Sequence, residues 1–273
     1  MRNANWLGRQ ISSSYRHRFN LFGYQFEAQL ARSVFHQILF LERERAVHER
    51  KLIESLVSTG DRVVDVGANI GYYLLLFEKL AGPTGHVFCV EPEEDNLREL
   101  NQQLSINNFQ NVTIHPCAAG ASNAEVGFIA GLNGRCRPEA SAGCQVTVRP
   151  LDDLVPDRVD FLKIDVEGYE GSVLAGARRI LKQDKPNLFL ELHPAAIEQL
   201  GDDIEGMVRD IAETYSSVEW WRPPHPSDFS PLRRVIQRYT SGELPIRMTE
   251  AEIKECVENP SRCTGTAWLI AKR

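Results

Sequence analysis

Apolar residues recur at helical spacing in the first part of the chain. They fall at every third or fourth position, at Phe26, Leu30, Val34, Ile38 and Leu41. This spacing is typical of one face of an amphipathic helix. We therefore expect residues 24–57 to be helical, and residues 1–58 to form a helical extension ahead of the main domain.

From residue 62 the pattern changes to short apolar runs separated by helical stretches. Five runs have the length and composition of buried strands: Arg62–Val66, His86–Val90, Val112–His115, Val159–Ile164 and Asn187–Leu192. Helical apolar spacing lies between them, at Tyr72–Leu80, at Leu97, Leu100 and Leu104, and at Val173–Leu181. This alternation predicts an α/β doubly wound sheet whose strands are mostly parallel and covered by helices on both faces.

Three further elements are predicted in the last third of the chain: a helix near Ile197–Tyr215, a sixth strand at Val218–Trp221 and a closing strand at Gly265–Ile270. A polar, proline-rich insert, roughly Arg222–Arg262, lies between the two strands, and residues 131–145 are typical of a surface loop. We therefore predict a core domain at residues 59–221. An insert and closing strand of the same domain would follow at residues 222–273.

The composition is ordinary for a soluble globular protein, with 42% apolar and 25% charged residues. The net charge of −6 argues against a nucleic-acid-binding surface, which normally needs a basic face. No apolar run approaches the roughly 18 residues of a membrane span, and no apolar segment of a signal peptide is present near the start. None of the six cysteines forms a C-x-x-C pair, so we expect reduced thiols, no zinc site and a cytoplasmic location.

The N-terminal residues are basic. Arg2, Arg9, Arg16 and Arg18 precede the first acidic residue, Glu27. Such a segment fits a solvated terminus, an arm that contacts an anionic surface or a glycolipid, or a transit peptide. The sequence leaves these alternatives open, and it leaves the oligomeric state open too.

The first predicted strand runs into a turn with two glycines, VDVGANIGY, over residues 64–72. Gly67 and Gly71 allow the backbone to turn tightly and let a ligand approach closely, and Asn69 tolerates the left-handed conformation. The free N–H groups of the following helix would face a ligand in the loop. Taken alone this is a weak signal, because many glycine-rich turns are purely structural.

Two acidic residues strengthen the signal. Glu91 ends the second predicted strand 24 positions after Gly67, where an acid can bind both ribose hydroxyls of a nucleoside. Asp65 precedes the turn, where it would repel a pyrophosphate but attract an α-ammonium group. A nucleoside that carries an amino acid, such as S-adenosylmethionine, therefore suits the loop better than a dinucleotide.

Five segments resemble, in order and spacing, the FkbM family of S-adenosylmethionine-dependent methyltransferases: DVGANIGYY, VEPEEDN, VRPLDDL, LKIDVEGYE and LELHP. The resemblance covers roughly residues 42–193, about half of the chain. It implies a class I methyltransferase Rossmann-like fold with an antiparallel C-terminal strand, and S-adenosylmethionine as the cofactor. It also implies O-methylation of a small-molecule or glycan acceptor, at a hydroxyl of a sugar, a glycolipid or a natural product.

The same resemblance implies the cofactor site residue by residue. The residues expected around the methionine part are Asp65, Gly67, Ala68, Asn69, Gly71 and Tyr72. Glu91 and Pro92 would lie at the ribose. Cys117 and Ala118 would lie near the adenine, where no acidic side chain is present and backbone contacts must serve. Asp165 would complete the cofactor site from across the loop.

The fourth predicted strand runs into two like charges, Asp165 and Glu167, one residue apart. An uncompensated buried carboxylate is costly, so this strand end must meet water, a cation or a ligand. In class I strand order the first and fourth strands are neighbours where the strand order reverses, and ligands bind there. We therefore expect a sulfonium cation to compensate these carboxylates. The alternative is that they cap the following helix.

Glu191 and His193 follow the fifth predicted strand and share one of its faces, so both are expected to point toward the cleft. We assign catalysis to His193, Asp165, Glu167 and Glu191, with His193 removing the proton of the acceptor hydroxyl because its ordinary pKa lies near neutrality. A plainer alternative makes His193 a turn residue bonded to the backbone. A magnesium- or manganese-type site formed by these four residues is a third alternative. We do not favour it, because no single element carries a clear two-carboxylate spacing.

Two neighbouring tryptophans, Trp220 and Trp221, lie at the end of the sixth predicted strand. They offer flat apolar surface that suits a sugar ring or a lipid-linked acceptor, and the insert Arg222–Arg262 would then cover the site. Packing in the core is the alternative for both tryptophans.

Two other functions remain open. A nicotinamide-dependent oxidoreductase would need the G-x-G-x-x-G spacing that the loop lacks, and Asp65 would repel its cofactor. A non-catalytic S-adenosylmethionine-binding protein would have no need of the carboxylates at 165, 167 and 191.

Overall fold

The computed structural model describes residues 16–31, 34–42, 47–130, 136–138, 144–223, 245–263 and 266–273. Its strands are β1 (His17–Leu21), β2 (Tyr24–Ala28), β3 (Arg62–Val66), β4 (His86–Val90), β5 (Val112–His115), β6 (Ala118–Ala119), β7 (Ala124–Ala130), β8 (Cys136–Pro138), β9 (Cys144–Arg149), β10 (Phe161–Ile164), β11 (Asn187–Leu192), β12 (Ser217–Arg222), β13 (Ile246–Arg247) and β14 (Ala267–Lys272). Its helices are α1 (Val34–Glu42), α2 (Val47–Glu54), α3 (Tyr72–Ala81), α4 (Glu94–Asn107), α5 (Leu151–Leu154), α6 (Glu170–Ala175), α7 (Pro194–Leu200), α8 (Ile204–Thr214) and α9 (Glu250–Glu258). A π-helical turn spans Ile180–Asp184 and a 3₁₀ turn spans Pro260–Arg262.

Some of the predicted segments lie outside the described residues. These are the basic residues 1–15, most of the predicted loop 131–145 and residues 224–244 of the predicted insert. Where the predicted loop is described, at 136–138 and 144–145, it forms strands β8 and β9, so the loop prediction is wrong there. These strands belong to a second sheet of order β6-β9-β7-β8.

The first described residues form a β-hairpin rather than a helix. β1 and β2 pair antiparallel around a turn in which Phe22 and Gly23 have positive φ angles of 58° and 102°. The helical prediction is therefore wrong for residues 24–28, and the first described helix begins at Val34. The error has a physical cause, because the spacing that placed Phe26 on a helical face is equally met by a strand that leads into a turn.

Amide side chains of α4 hold this hairpin to the main domain. The Gln103 side chain accepts a hydrogen bond from the backbone N–H of Glu27 and donates one to the backbone carbonyl oxygen of Glu27, both at 3.0 Å. Asn107, one turn later, makes the same pair of bonds with Gln25, both at 2.8 Å. The two side chains thus satisfy backbone groups that β2 would otherwise leave unpaired at its edge.

The central sheet has the strand order β13-β12-β14-β11-β10-β3-β4-β5. Strands β3, β4, β5, β10 and β11 are mutually parallel, and β14 is antiparallel to both β11 and β12. This arrangement confirms the predicted doubly wound α/β fold with an antiparallel C-terminal strand. It also confirms that the first and fourth predicted strands, β3 and β10, are neighbours at the point where strand order reverses. The domain limits at residues 58 and 221 stay a prediction.

Two predicted helices are interrupted by glycines. The helix predicted near Ile197–Tyr215 consists of α7 and α8, and Gly201, with a φ of 82°, ends the first of them. The helix predicted at Val173–Leu181 is interrupted at Gly176. A Cβ at Gly176 would lie 2.0 Å from the carbonyl oxygen of Gly120, so the chain can pass there only without a side chain.

Side chains of the central sheet enter two hydrophobic cores, one on each face. Val64 belongs to one core, whereas Val63 and its register partner Phe161 belong to the other. Asp65 and Lys163 break this pattern, because both are 0% exposed although they carry charges. They are register partners on β3 and β10, in the middle of the sheet. Among the described residues, no helix combines the length and the apolar character that crossing a membrane requires.

Candidate active site

The turn after β3 lies against the end of β10. A Cβ on Gly67, whose φ is 85°, would lie only 1.9 Å from the carbonyl oxygen of Asp165, so no other residue fits there without moving the backbone. The N–H groups of Gly67 and Ala68 both donate to the carbonyl oxygen of Val90, at 2.9 and 3.2 Å, which ties the turn to the end of β4. Asn69 adopts the left-handed conformation that the sequence predicts, with a φ of 50°.

Glu91, which follows β4, also holds the turn in place. This residue is only 4% exposed. Its Oε2 accepts a hydrogen bond from the N–H of Asn69 at 2.8 Å, and its Oε1 accepts from the N–H of Glu93 at 3.0 Å and from Nδ2 of Asn96 at 3.2 Å. Burial raises the pKa of Glu91 to about 7, although the N–H donors oppose this rise. The predicted ribose-binding acid is therefore held in place by donors of the protein itself.

Asp65 has a cationic partner that the sequence analysis missed. The Nζ atom of Lys163 lies 3.2 Å from Oδ1 of Asp65 and 3.5 Å from Oδ2 of Asp165. It also lies 4.7 Å from the centre of the Tyr73 ring, a favourable position for a cation. Burial by itself would lower the pKa of Lys163, but the carboxylates of Asp65 and Asp165 outweigh burial and raise it. Lys163 therefore supplies a cation beside Asp165 that the sequence analysis did not include, and compensation of the carboxylates by a bound sulfonium stays a prediction.

One carboxylate oxygen of this pair remains without a donor. Oδ2 of Asp65 is buried and has no hydrogen-bond partner among the described residues. A buried acceptor of this kind carries a free-energy cost unless a ligand or a water molecule satisfies it. It therefore fits the α-ammonium group for which the sequence analysis assigned Asp65.

The chain turns sharply after β10. Glu167 and Gly168 have positive φ angles of 55° and 112°, and a Cβ on Gly168 would lie 2.7 Å from Cβ of Ala196 in α7. The glycine thus lets the turn pack directly on α7. The N-cap residue of α6 is Tyr169, which makes no side-chain capping bond, and the alternative that Asp165 and Glu167 favour the helix by its dipole stays a prediction.

His193, at the end of β11, lies among three glutamates. Its Nδ1 is 2.8 Å from Oε1 of Glu170, and its Nε2 is 3.4 Å from Oε2 of Glu167 and 3.9 Å from Oε1 of Glu191. Burial by itself would lower the pKa of His193, but the bond to Glu170 and the surrounding carboxylates raise it to about 9. The ordinary pKa used in the sequence analysis therefore does not apply to His193 in the fold, where the raised pKa favours the protonated imidazole at neutral pH. These contacts are with side chains, so the alternative of a turn residue bonded to the backbone is not supported.

Glu170 is a second site residue that the sequence analysis missed. It is 0% exposed, and its Oε1 accepts from the N–H of Gly168 at 3.1 Å as well as meeting His193. The signal was present, since Glu170 ends the quoted segment LKIDVEGYE. A glutamate at the start of a helix is, however, usually exposed, and nothing local reveals that this one is buried.

The structure brings all four predicted catalytic residues together. Ligand atoms of Asp165, Glu167 and His193 all lie within 4.8 Å of one another, and Glu191 lies beside them. Trp220 does not join them. It is 7% exposed and packs in the core on the same side of the sheet as Val64, so the core alternative is correct for this residue.

The remaining predicted cofactor residues lie around the same edge of the sheet. Tyr72 is buried and its ring packs against Phe22 of the hairpin turn, with ring centres 5.3 Å apart. Cys117 and Ala118, which follow β5, are also buried, and Pro92 follows β4 directly. Their contacts with a cofactor stay a prediction.

The family model of the methyltransferase FkbM domain matches residues 65–237, which is more than half of the 273 residues. Among solved structures, the crystal structure of a methyltransferase FkbM from Methylobacillus flagellatus KT is 26% identical in sequence with a TM-score of 0.50. The alignment covers 72% of this chain and 51% of that one.

Two curated relatives are also methyltransferases. Methyltransferase 1 of Beauveria bassiana is 27% identical over 143 residues, which is 42% of this chain and 57% of the relative. Protein-L-isoaspartate O-methyltransferase of Ignicoccus hospitalis is 33% identical over 55 residues, which is 20% of this chain and 26% of the relative. The chain therefore matches these relatives over only part of their lengths.

The buried pair Asp65–Lys163 generates a stability prediction. Lys163→Met keeps the side-chain length but leaves the Asp65 carboxylate buried without its cation. We expect the free energy of unfolding to fall by about 3–5 kcal/mol, as when one partner of a buried ion pair is removed. Urea denaturation followed by circular dichroism measures this loss.

The matched control is Lys182→Met, which removes a lysine from an exposed position and should change stability by no more than about 0.5 kcal/mol. The double variant Asp65→Asn, Lys163→Met should recover much of the loss, because it removes both charges. Equal urea midpoints for Lys163→Met and the wild type would show that the ion pair does not stabilise the sheet.

Proposed function

The chain belongs to the methyltransferase FkbM family, and on this basis we propose that it transfers a methyl group from S-adenosylmethionine to a hydroxyl of a sugar, a glycolipid or another small natural product. The observation that carries the proposal is the convergence of four strand ends. The glycine turn after β3, the acid after β4 and the carboxylates after β10 and β11 all lie at the carboxyl edge of one parallel sheet. Ligands of such sheets bind at this edge, where strand order reverses.

The residues at this edge fit the cofactor. The orphaned Oδ2 of Asp65 suits the α-ammonium group, and the lack of a side chain at Gly67 lets the turn pack directly against the backbone of Asp165. Glu91 is held rigidly where the ribose is expected. S-adenosylmethionine, when bound, supplies an electrophilic methyl group on a sulfonium centre. The protein then has to hold the acceptor oxygen in line with that methyl group and take up the proton of the hydroxyl.

We assign these tasks to the carboxylate–imidazole cluster of Asp165, Glu167, Glu191 and His193. Alignment of the acceptor contributes most, since proximity and orientation can lower a barrier by about 7–11 kcal/mol. A protonated imidazole cannot accept another proton. Only the fraction of molecules whose His193 imidazole is unprotonated can therefore use it as a base. We keep the proposal that His193 is the base, but at neutral pH a second group has to assist removal of the proton.

The acceptor class rests on charge and family. A net charge of −6 disfavours a polyanionic acceptor, so we propose a small hydroxylated molecule or a glycan rather than a nucleic acid. The described part of the insert starts at the same edge, because β12 runs in the direction of β11 and Arg222 at its end is bonded to Glu252 of α9 at 2.8 Å. We therefore keep the proposal that the insert borders the acceptor site.

The alternative function, a nicotinamide-dependent oxidoreductase, gains no support, since the curated relatives are methyltransferases.

A panel of glycans and small hydroxylated metabolites, incubated with labelled S-adenosylmethionine and followed by mass spectrometry, tests the proposed acceptor class. With an acceptor in hand, His193→Ala should lower the rate of methyl transfer about 10²–10⁴-fold at saturating substrate, because the group that assists proton removal is lost. The dissociation constant of the cofactor should stay unchanged, since His193 lies outside the glycine turn.

His86→Asn is the matched control for this variant, because His86 lies at the opposite end of β4 and bonds to Thr113. Its rate should equal that of the wild type. Equal rates for His193→Ala and the wild type would remove His193 from the reaction. Methyl transfer to nucleic acid alone, with no glycan or metabolite modified, would contradict the proposed acceptor class.

The raised pKa of Glu91 predicts a pH dependence of cofactor binding. The ionised carboxylate can accept hydrogen bonds from ribose hydroxyls, whereas the protonated form has fewer free acceptor sites. Since the pKa of Glu91 is about 7, affinity should be full above this pH and should fall as the pH is lowered through it. At pH 6 about one chain in ten has an ionised Glu91, so the dissociation constant should rise about tenfold.

Isothermal titration calorimetry with S-adenosylmethionine at pH 6, 7 and 8 measures this dependence. Glu91→Gln should bind weakly at each pH and show little of the slope. Glu94→Gln, on the exposed face of α4, should behave as the wild type. A wild-type affinity that stays constant between pH 6 and 8 would contradict the proposed role of Glu91.

A further inference from the structure

Three side chains at the ends of β10 and β11 present ligand atoms to one small space. An oxygen of Asp165, an oxygen of Glu167 and a ring nitrogen of His193 lie within 4.8 Å of one another. Two ligands on opposite sides of one ion, each at roughly 2.1–2.4 Å from it, are about 4.2–4.8 Å apart. The three atoms are therefore close enough to share a single cation.

The imidazole is oriented as a metal ligand would be. Its Nδ1 is bonded to Glu170, a fully buried carboxylate outside the set of three, so Nε2 is the nitrogen that faces Glu167. Histidines that bind metal ions almost always carry such a carboxylate, carbonyl oxygen or water on the second ring nitrogen, which fixes the ring and its tautomer. This observation is independent of the acidic side chains that line the space.

Glu191 lies beside the same space. Its side chain is only 13% exposed, and its Oε1 lies 3.9 Å from Nε2 of His193, beyond hydrogen-bonding distance. Within the described part of the chain its carboxylate makes no hydrogen bond. A largely buried carboxylate without a donor carries a free-energy cost unless a cation or a water molecule meets it.

We propose that Asp165, Glu167 and His193 bind a divalent cation of the Mg²⁺ or Mn²⁺ class, with Glu191 beside it. Carboxylate oxygens with a single imidazole and no thiolate are the ligands that these ions prefer. The role of the cation rests on the proposed methyl transfer, whereas its binding can be measured without it. A bound cation would hold the acceptor oxygen and make its hydroxyl more acidic. The hydroxyl proton would then pass to the neighbouring carboxylate of Glu191, and His193 would be a ligand rather than the base.

Mn²⁺ is the probe of choice, because its free form gives a six-line electron paramagnetic resonance spectrum that weakens on binding. The full chain is freed of metal with a chelator, desalted and titrated with Mn²⁺, with calorimetry in parallel. We expect one Mn²⁺ per chain. Affinity should be at least tenfold lower in the double variant Asp165→Asn, Glu167→Gln, and about 10–100-fold lower in Glu170→Gln, which leaves all three ligands in place.

The matched control is the double variant Glu94→Gln, Asp95→Asn, which removes the same two charges from α4 and should bind Mn²⁺ as the wild type does. An undiminished free-Mn²⁺ spectrum with the wild type would overturn the inference. So would equal affinity of the wild type and the Asp165–Glu167 double variant. If circular dichroism shows that this double variant is unfolded, the comparison of Glu170→Gln with the wild type decides, and equal affinities overturn the inference.

Calorimetry with S-adenosylmethionine, in the presence of chelator, separates this inference from the proposed function. Binding heat with the cofactor but none with Mn²⁺ would contradict the cation site and remain consistent with methyl transfer in which His193 is the base. Binding heat with Mn²⁺ but none with the cofactor would support the cation site and contradict the proposed function.

Discussion

The buried ammonium group of Lys163 is the interaction on which the candidate site depends. It stands between the carboxylates of Asp65 and Asp165, which adjacent strands deliver to the same edge of the sheet. Two neighbouring carboxylates repel each other, and burial raises the pKa of Asp65 above its ordinary value while the Lys163 ammonium opposes this rise. Lys163, a residue of β10, neutralises part of this charge from within the sheet. The strands can then end in acidic side chains with a smaller loss of stability than an unpaired buried charge would cause.

The contact between two backbone segments is the second constraint, and it explains where the cleft lies. The turn at Gly67 approaches the carbonyl oxygen of Asp165 so closely that a Cβ has no room, while Glu91 fixes the far side of the turn by its bond to Asn69. The turn is therefore held by the ends of β4 and β10 at once. A loop held on both sides loses little conformational entropy when a ligand binds, which favours affinity. Rigid placement of this kind also suits a reaction that depends on alignment.

The sequence predicted those elements that a few consecutive residues determine. Apolar runs and glycine spacing located the parallel strands, the turn after β3 and the acidic strand ends. The hairpin of β1 and β2 was missed, since its edge is satisfied by Gln103, a residue far away in the sequence. Lys163 and Glu170 were missed for the same reason. Their burial results from how strands and helices pack. The short sequence segment around a charged residue does not show whether that residue will be buried.

The charge balance of the site leads to its chemistry. Five carboxyl groups surround two basic groups, the ammonium of Lys163 and the imidazole of His193, and burial raises the pKa of one of the five, Glu191, well above its ordinary value. Lys163 lies deep in the sheet, so the outer rim near His193 keeps most of the excess negative charge. The raised pKa of His193 is a direct result, because a proton is the simplest cation that this rim can attract. A sulfonium centre and a divalent metal ion both carry the positive charge that the rim favours, and both compete with that proton. The same arrangement thus favours a cationic methyl donor and holds the pKa of the imidazole above its ordinary value.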